Sequence, residues 1–302
     1  MTMTAAPHRG PYAGYALFFL ASAFMASNVV LGRAAADTVP PVGLAFWRWL
    51  VAFALILPFA LPGLREHRRN LLADWRRLLV LGALGMGVCG AFVYVGLERT
   101  TATNAGLIYA SSPVLILLIA AVTTGERVRP VQVAGIALAM AGVLTILARG
   151  DPGVLLGLSF NTGDVWILAA ATAWAVYTIL LRRSRTPFPV VTLFAANALS
   201  GVLILAPFYA WETLSGRPVV PTAEAALSVL GVAVIASVLA FLTYQMTIAR
   251  IGPARAGTTL YVMPLWAALL AWATLGETLQ SFHLAGAALI LPGVLMATRP
   301  AR

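Results

Sequence analysis

Residues 106–142 read GLIYASSPVLILLIAAVTTGERVRPVQVAGIALAMAG, and residues 257–293 read GTTLYVMPLWAALLAWATLGETLQSFHLAGAALILPG. Both stretches are apolar, and both carry a glycine, a proline, a Gly-Glu pair and two further glycines in the same order. The matched positions are Gly106 and Gly257, Pro113 and Pro264, Gly125-Glu126 and Gly276-Glu277, Gly135 and Gly286, and Gly142 and Gly293. Every pair is separated by 151 residues, which indicates an internal duplication.

The duplication divides the chain into two units of similar length. Outside the quoted stretches, Tyr94 matches Tyr244 and Phe24 matches Trp174 with small shifts in spacing. We therefore expect a leader at 1–11, a first unit at 12–148, a linker at 149–163, a second unit at 164–298 and a tail at 299–302.

The composition predicts an integral membrane protein. Of the 302 residues, 61% are hydrophobic and only 10% are charged, whereas about a quarter are charged in soluble domains. The apolar windows are close to the roughly 20 residues that span a bilayer, and they lack the alternation of barrel strands. The predicted fold class is all-α, with ten transmembrane helices at about 12–32, 41–61, 78–97, 103–123, 131–148, 165–181, 189–210, 226–248, 256–274 and 282–298.

The arginines predict how these spans are oriented. The net charge is +10 and the chain has no lysine, a pattern that indicates cytoplasmic loops of a multi-pass protein of the inner (plasma) membrane rather than a nucleic-acid partner. Fifteen arginines fall on the N-terminal side and four on the opposite side, which places both termini in the cytoplasm. Because each unit has five spans, the second is inverted relative to the first. Inverted repeats are typical of secondary transporters.

Pro113 and Pro264 occupy matched positions in the fourth and ninth spans, each seven residues after a glycine, Gly106 or Gly257. A proline inside a helix removes a backbone hydrogen bond and kinks the helix. We interpret these four residues as paired hinges. The alternative is a pair of static kinks, which membrane helices tolerate.

Helical spacing places polar and aromatic side chains on matching faces of several spans. Their mid-span positions favour a substrate cavity over the alternative, aromatic belts at the membrane interfaces. The predicted substrate-binding residues are Phe24, Asn28, Tyr94, Tyr109, Trp174, Thr178, Phe241, Tyr244, Thr258 and Tyr261.

Arg48 is the one charged residue predicted to lie inside a span, and we add it to the substrate-binding set. A charge in the bilayer is costly, and two interpretations remain open. The side chain either snorkels to the outer interface or binds a substrate carboxylate. Its repeat partner is the neutral Asn197, so the two units are not chemically equivalent.

No metal site, cofactor or catalytic residue is predicted. The three histidines are scattered, Cys89 is the only cysteine, and the signatures of hydrolytic enzymes are missing. Glu126 and Glu277 each precede a helix, where capping is favoured over proton transfer. No acidic residue or histidine falls in mid-span, so the sequence predicts no obvious proton relay.

Glycines in the fifth and tenth spans permit close helix packing. We place these two spans at the periphery of the bundle and expect a monomer, or a weak homodimer formed through them. The other expected partners are the lipid bilayer and a small-molecule substrate.

The ten spans, Arg48, the tyrosines Tyr94 and Tyr244, the matched prolines and the Gly-Glu turns together resemble the EamA type of drug/metabolite transporter over about residues 12–298. The resemblance implies a central cavity between spans one to four and six to nine, and export of small metabolites. The aromatic candidates are similar to those of YddG-type exporters, which implies export of phenylalanine, tyrosine and tryptophan by alternating access. Export of drugs or organic cations, and lipid flipping, are the alternatives.

Overall fold

The computed structural model describes residues 11–35, 38–100, 102–124, 128–182, 188–275 and 278–298. Both Gly-Glu turns and the tail lie outside these residues, so the capping predicted for Glu126 and Glu277 stays a prediction. Every regular element in the described ranges is helical. The α-helices are α1 (Pro11–Ala35), α2 (Pro41–Glu66), α3 (Arg68–Ala73), α4 (Trp75–Gly82), α5 (Cys89–Leu97), α6 (Ala102–Tyr109), α7 (Ser112–Thr124), α8 (Pro130–Leu147), α9 (Pro152–Leu156), α10 (Thr162–Arg182), α11 (Val190–Leu214), α12 (Ala223–Ala233), α13 (Ala240–Ile251), α14 (Pro253–Gly257), α15 (Thr259–Leu275) and α16 (Ser281–Ala297).

Several helical stretches are long and apolar enough to cross a membrane. Within the described ranges there are seven of them, and two shorter apolar helices cover Gly14–Asn28 and Ser281–Ala297. The seven are Pro41–Glu66, Trp75–Leu97, Asn104–Thr123, Pro130–Leu147, Thr162–Leu181, Val190–Leu214 and Ala223–Ile251.

The start of α2 is fixed by a carboxylate from a distant part of the chain. Glu212, near the end of α11, is only 5% exposed. Its two oxygens accept hydrogen bonds from the backbone N–H groups of Val42 at 3.1 Å and Gly43 at 2.7 Å. Free amides and the helix dipole favour a negative charge at this end of a helix. This contact joins α2 to α11, which also pack against each other.

Glycines bring α8 and α16 into backbone contact within the chain. A Cβ atom added at Gly293 would lie 2.5 Å from the nitrogen of Ala139, and one added at Gly142 would lie 2.6 Å from the oxygen of Gly286. Such distances leave room only for hydrogen on the α-carbon. The glycine faces of these helices are therefore used for packing inside one molecule.

Two π-helical segments interrupt the helical path, at Ala83–Val88 and Val234–Leu239. Each has six residues, and they start 151 residues apart, the same separation as the glycine and proline pairs. A π-helical turn changes the backbone hydrogen-bond pattern and is frequent at functional sites. The sequence did not reveal these segments.

The α-helices are also interrupted near the matched prolines, but not symmetrically. α6 ends and α7 begins around Ser111, so that Pro113 lies in the first turn of α7. Pro264 instead lies inside the continuous α15, and the interruption in that half falls at Thr258. At each break a hydroxyl donates to a carbonyl three residues earlier, at 2.6 Å from Ser111 and 2.8 Å from Thr258. These side-chain bonds compete with regular helix hydrogen bonding.

Candidate functional site

A cavity of about 1300 Å³ extends into the bundle from one end. Its mouth is formed by residues at the ends of α5 and α8 and before α16, and its polar members, among them Arg149 and Gln280, are exposed. Its floor is formed by the rings of Trp49, Trp174 and Phe241, which are 0%, 1% and 6% exposed. The cavity is thus open at the mouth and closed at the aromatic floor.

The floor is a set of aromatic rings in mutual contact. The centroid of Phe241 lies 4.8 Å from that of Trp49 and 5.5 Å from that of Trp174, both in edge-to-face geometry. Tyr244 lies behind, 4.9 Å from Trp174, and its hydroxyl is 3.1 Å from that of Thr178. Ring pairs in this arrangement fix one another's orientation. The floor therefore offers a rigid apolar surface to a bound ring.

Arg48 lies inside the bundle and not at its surface, being 3% exposed. Its Nε donates to Ser237 Oγ at 2.9 Å, and its Nη1 donates to Tyr94 Oη at 2.7 Å and to Asn28 Oδ1 at 3.1 Å. Its Nη2 donates to the carbonyl of Ala236 at 3.1 Å. Residues from α1, α2, α5 and the second π segment thus meet at one guanidinium, which does not have the exposed position expected of a snorkelling arginine.

Neighbouring residues of α2 connect the two π-helical segments. The indole Nε1 of Trp49 donates to the carbonyl of Met86 in the first segment at 3.1 Å. Arg48 reaches the carbonyl of Ala236 in the second segment, and its guanidinium lies 4.7 Å from the centroid of the Trp49 ring. Each π segment therefore gives a backbone oxygen to a side chain of α2, and the charge lies directly beside the aromatic floor.

The cavity wall is positively charged. Arg48 and Arg149 line it, and no aspartate or glutamate does so among the residues that the structure describes. Close to the mouth, Glu98 pairs with Arg217, and this hydrogen bond raises the pKa of the Arg217 guanidinium. A cleft lined by one sign of charge concentrates ligands of the opposite sign.

The single cysteine also faces the cavity. Cys89 lines it, and its Sγ lies 2.9 Å from the hydroxyl of Tyr109, another lining residue. Because the thiol lies on the cavity wall, the rate at which it is alkylated can report whether the cavity is occupied.

The structure brings together about half of the predicted site residues. Those on the cavity wall are Asn28, Arg48, Tyr94, Tyr109, Trp174 and Phe241, with the predicted hinge residues Gly106 and Pro264. Those off the wall are Phe24, Thr178, Tyr244, Thr258, Tyr261, Pro113 and Gly257.

Four of the residues off the wall pack inside the bundle. Thr178 and Tyr244 support Trp174 from behind, and Phe24 packs on the hydrophobic core. Tyr261 is fully buried in a separate apolar cluster. The spacing of residues along one helix could not show which of them face the cavity, because that depends on where the neighbouring helices pack.

Sequence reasoning missed Trp49, the carbonyl oxygens of Met86 and Ala236, and the mouth residues Arg149 and Gln280. The signal for Trp49 was its position next to Arg48. Backbone oxygens leave no signal in a sequence, because every residue has one.

Helices that are long and apolar enough to cross a membrane, arranged around an open, charged cavity, fit the class of multi-pass membrane transporters. The model of the EamA-like transporter family matches residues 12–148 and 161–299. The chain belongs to this family, so it is a transporter of small molecules in a membrane and not an enzyme.

Known proteins resemble this chain over most of its length. An "Uncharacterized transporter" of Archaeoglobus fulgidus is 28% identical over 93% of this chain and 96% of its own. A "Probable terminal-alkyne amino-acid exporter" of Streptantibioticus cattleyicolor is 29% identical over 92% of this chain and 89% of its own. The "Uncharacterized inner membrane transporter YedA" of Escherichia coli is 28% identical over 88% and 84%. A solved crystal structure covers 96% of this chain with a TM-score of 0.76 and 23% identity, a likeness that shows the fold alone.

Proposed function

We propose that this transporter exports small amphipathic metabolites by alternating access, with phenylalanine, tyrosine and tryptophan as first candidates. The observation that carries the proposal is the buried Arg48 beside an aromatic floor. A guanidinium pairs with a carboxylate through strong charge-assisted hydrogen bonds, and an aromatic ring packs well on other rings. The relative named as an amino-acid exporter supports this class of substrate.

The proposal includes ten spans in two inverted repeats with both termini in the cytoplasm. Two kinds of observation support it. The helices at matched positions of the two units pair with each other, α2 with α11 and α8 with α16. The two π segments keep the separation of 151 residues. With the arginine asymmetry of the loops, the cavity mouth then faces away from the cytoplasm, and this conformation is outward-open.

Alternating access requires that the other end of the bundle can open. α14 packs against α7, where a Cβ atom at Gly257 would lie 2.7 Å from Ile116. We propose that this contact closes the cytoplasmic side, and that the segments around Gly106, Pro113, Gly257 and Pro264 act as hinges when it separates. Replacing both prolines by alanine should slow transport, and transport at the normal rate would contradict the hinge role.

The test is counterflow of labelled phenylalanine or tryptophan into proteoliposomes that are preloaded with the unlabelled amino acid. We expect uptake well above that of protein-free vesicles. Phe241→Leu, on the cavity floor, should reduce uptake, whereas Phe208→Leu should not, because Phe208 is 56% exposed on the outside of α11. Absence of counterflow with correctly folded protein would refute the amino acid assignment.

A second candidate is export of larger drugs. The cavity volume of about 1300 Å³ exceeds the roughly 300–1,000 Å³ of typical small-molecule sites. Organic cations are disfavoured by Arg48. Competition by methyl viologen and transfer of a labelled lipid, measured in the same vesicles, would distinguish drug export and lipid flipping. A monomer, or a weak homodimer through the outer faces of α8 and α16, remains our prediction for the oligomeric state.

A further inference from the structure

Arg48 is a buried cation without an anionic partner among the described residues. Its four hydrogen bonds end on two hydroxyls, an amide oxygen and a carbonyl, all of them neutral. The wall of the cavity adds no carboxylate in the parts that the structure describes. Burial of a charge without a counter-charge is costly. A substrate that supplies the missing negative charge therefore gains more than a neutral one.

Substrates that are cationic, zwitterionic or anionic should interact differently with this site. A cation is repelled by Arg48. A zwitterionic amino acid offers its carboxylate to Arg48, but its ammonium group enters a wall that already carries positive charge and provides no described carboxylate. A monoanion with an apolar ring neutralises Arg48 and introduces no second cation.

Building on the proposed function, we infer that the preferred substrates are aromatic carboxylates with one net negative charge, such as 2-hydroxy acids, and that their transport is electrogenic. Arg48 belongs to the protein and stays in the membrane, so each outward cycle moves the negative charge of one substrate. A membrane potential that is negative inside then drives export. No proton has to be carried, which agrees with a sequence that has no acidic residue in mid-span.

The matched pair of probes is phenyllactate and phenylalanine, which differ by a hydroxyl in place of the ammonium group. Proteoliposomes with valinomycin and a tenfold higher K⁺ concentration outside than inside develop a potential that is positive inside. With equal pH on both sides, a transported monoanion should accumulate inside up to about tenfold, because its distribution mirrors that of K⁺. Phenylalanine should reach equal concentrations only. Uptake by protein-free vesicles is subtracted.

Two variants test whether the potential-driven uptake of phenyllactate depends on Arg48. Arg48→Met should slow the potential-driven uptake of phenyllactate about tenfold or more, whereas Arg217→Met should keep the wild-type rate, because Arg217 is a half-exposed residue paired with Glu98 outside the cavity. Thermal unfolding in detergent confirms that both variants are folded.

The outcomes separate this inference from the proposed function. Tenfold accumulation of phenyllactate that depends on Arg48 supports the inference. Phenylalanine counterflow without potential-driven accumulation of phenyllactate overturns the inference and leaves the proposed function standing. Accumulation of phenylalanine with the potential also overturns it, because the zwitterion would then move with an additional charge. Absence of counterflow for both compounds overturns the proposed function itself.

Discussion

Arg48→Met separates the role of Arg48 in substrate binding from its role in folding. Two of its partners keep hydrogen bonds that they donate themselves, since Tyr94 Oη still donates to Asn28 Oδ1 at 3.0 Å and Ser237 Oγ to the carbonyl of Val232 at 3.0 Å. The variant also relieves the cost of burying a charge. We therefore expect the free energy of unfolding to change by about 1 kcal/mol or less.

Substrate binding should change far more. A hydrogen bond to a charged group contributes about 1.5–3 kcal/mol, and about 1.4 kcal/mol corresponds to a factor of ten in affinity. The half-saturating phenylalanine concentration should therefore rise about 10- to 150-fold in Arg48→Met. Arg48→Lys keeps the charge, and its half-saturating phenylalanine concentration should lie between those of Arg48→Met and the wild type.

The assay is counterflow at a series of phenylalanine concentrations, together with thermal unfolding of the same preparations in detergent. Arg217→Met is the matched control, because it removes the same side chain at an exposed position. A folded Arg48→Met protein with the half-saturating concentration of the wild type would refute a carboxylate at this site.

Three further predictions concern other parts of the structure. Glu212→Gln should lower the free energy of unfolding by about 1.5–3 kcal/mol in denaturant titration, since a charged acceptor is lost at the start of α2; an unchanged midpoint would contradict the capping role. Gly293→Ala should lower the free energy of unfolding by about 1–3 kcal/mol, because the added methyl group overpacks against Ala139. Gly231→Ala is the control and should leave this free energy nearly unchanged, because its added Cβ would make only ordinary contacts. Equal effects of the two variants would argue against the α8–α16 contact. Alkylation of Cys89 by a small maleimide, followed by mass spectrometry, should slow when phenylalanine is present; unaltered kinetics would place the substrate elsewhere.

The membrane-spanning character was predictable because it depends on local composition. The predicted span 131–148 corresponds to α8 at Pro130–Leu147, and 189–210 to α11 at Val190–Leu214. Prolines helped here, since Pro130 starts a helix and Pro189 precedes one.

The contacts between distant segments were not predictable, because they depend on how the helices pack. We expected helix caps from the Gly-Glu turns, whereas the cap that the structure describes on α2 is Glu212, about 170 residues away in the chain. Likewise Arg48 was recognised as unusual from the sequence, but its contact with Ser237 and Ala236 requires the second π segment to lie beside α2.

The first π-helical segment has a consequence for comparing homologous sequences. Deleting one residue from Ala83–Val88 would allow a continuous α-helix there, and the following helix would keep nearly its present orientation, because a π-helical turn holds about one residue more than an α-helical turn. Tyr94 would still point towards Arg48, but the carbonyl of Met86, which now accepts from the Trp49 indole, would accept from a backbone N–H four residues later instead. In an alignment of the family, a one-residue gap at this segment should therefore coincide with replacement of the tryptophan that follows the arginine, so that the length of the segment indicates whether a homologue keeps this anchor of the aromatic floor.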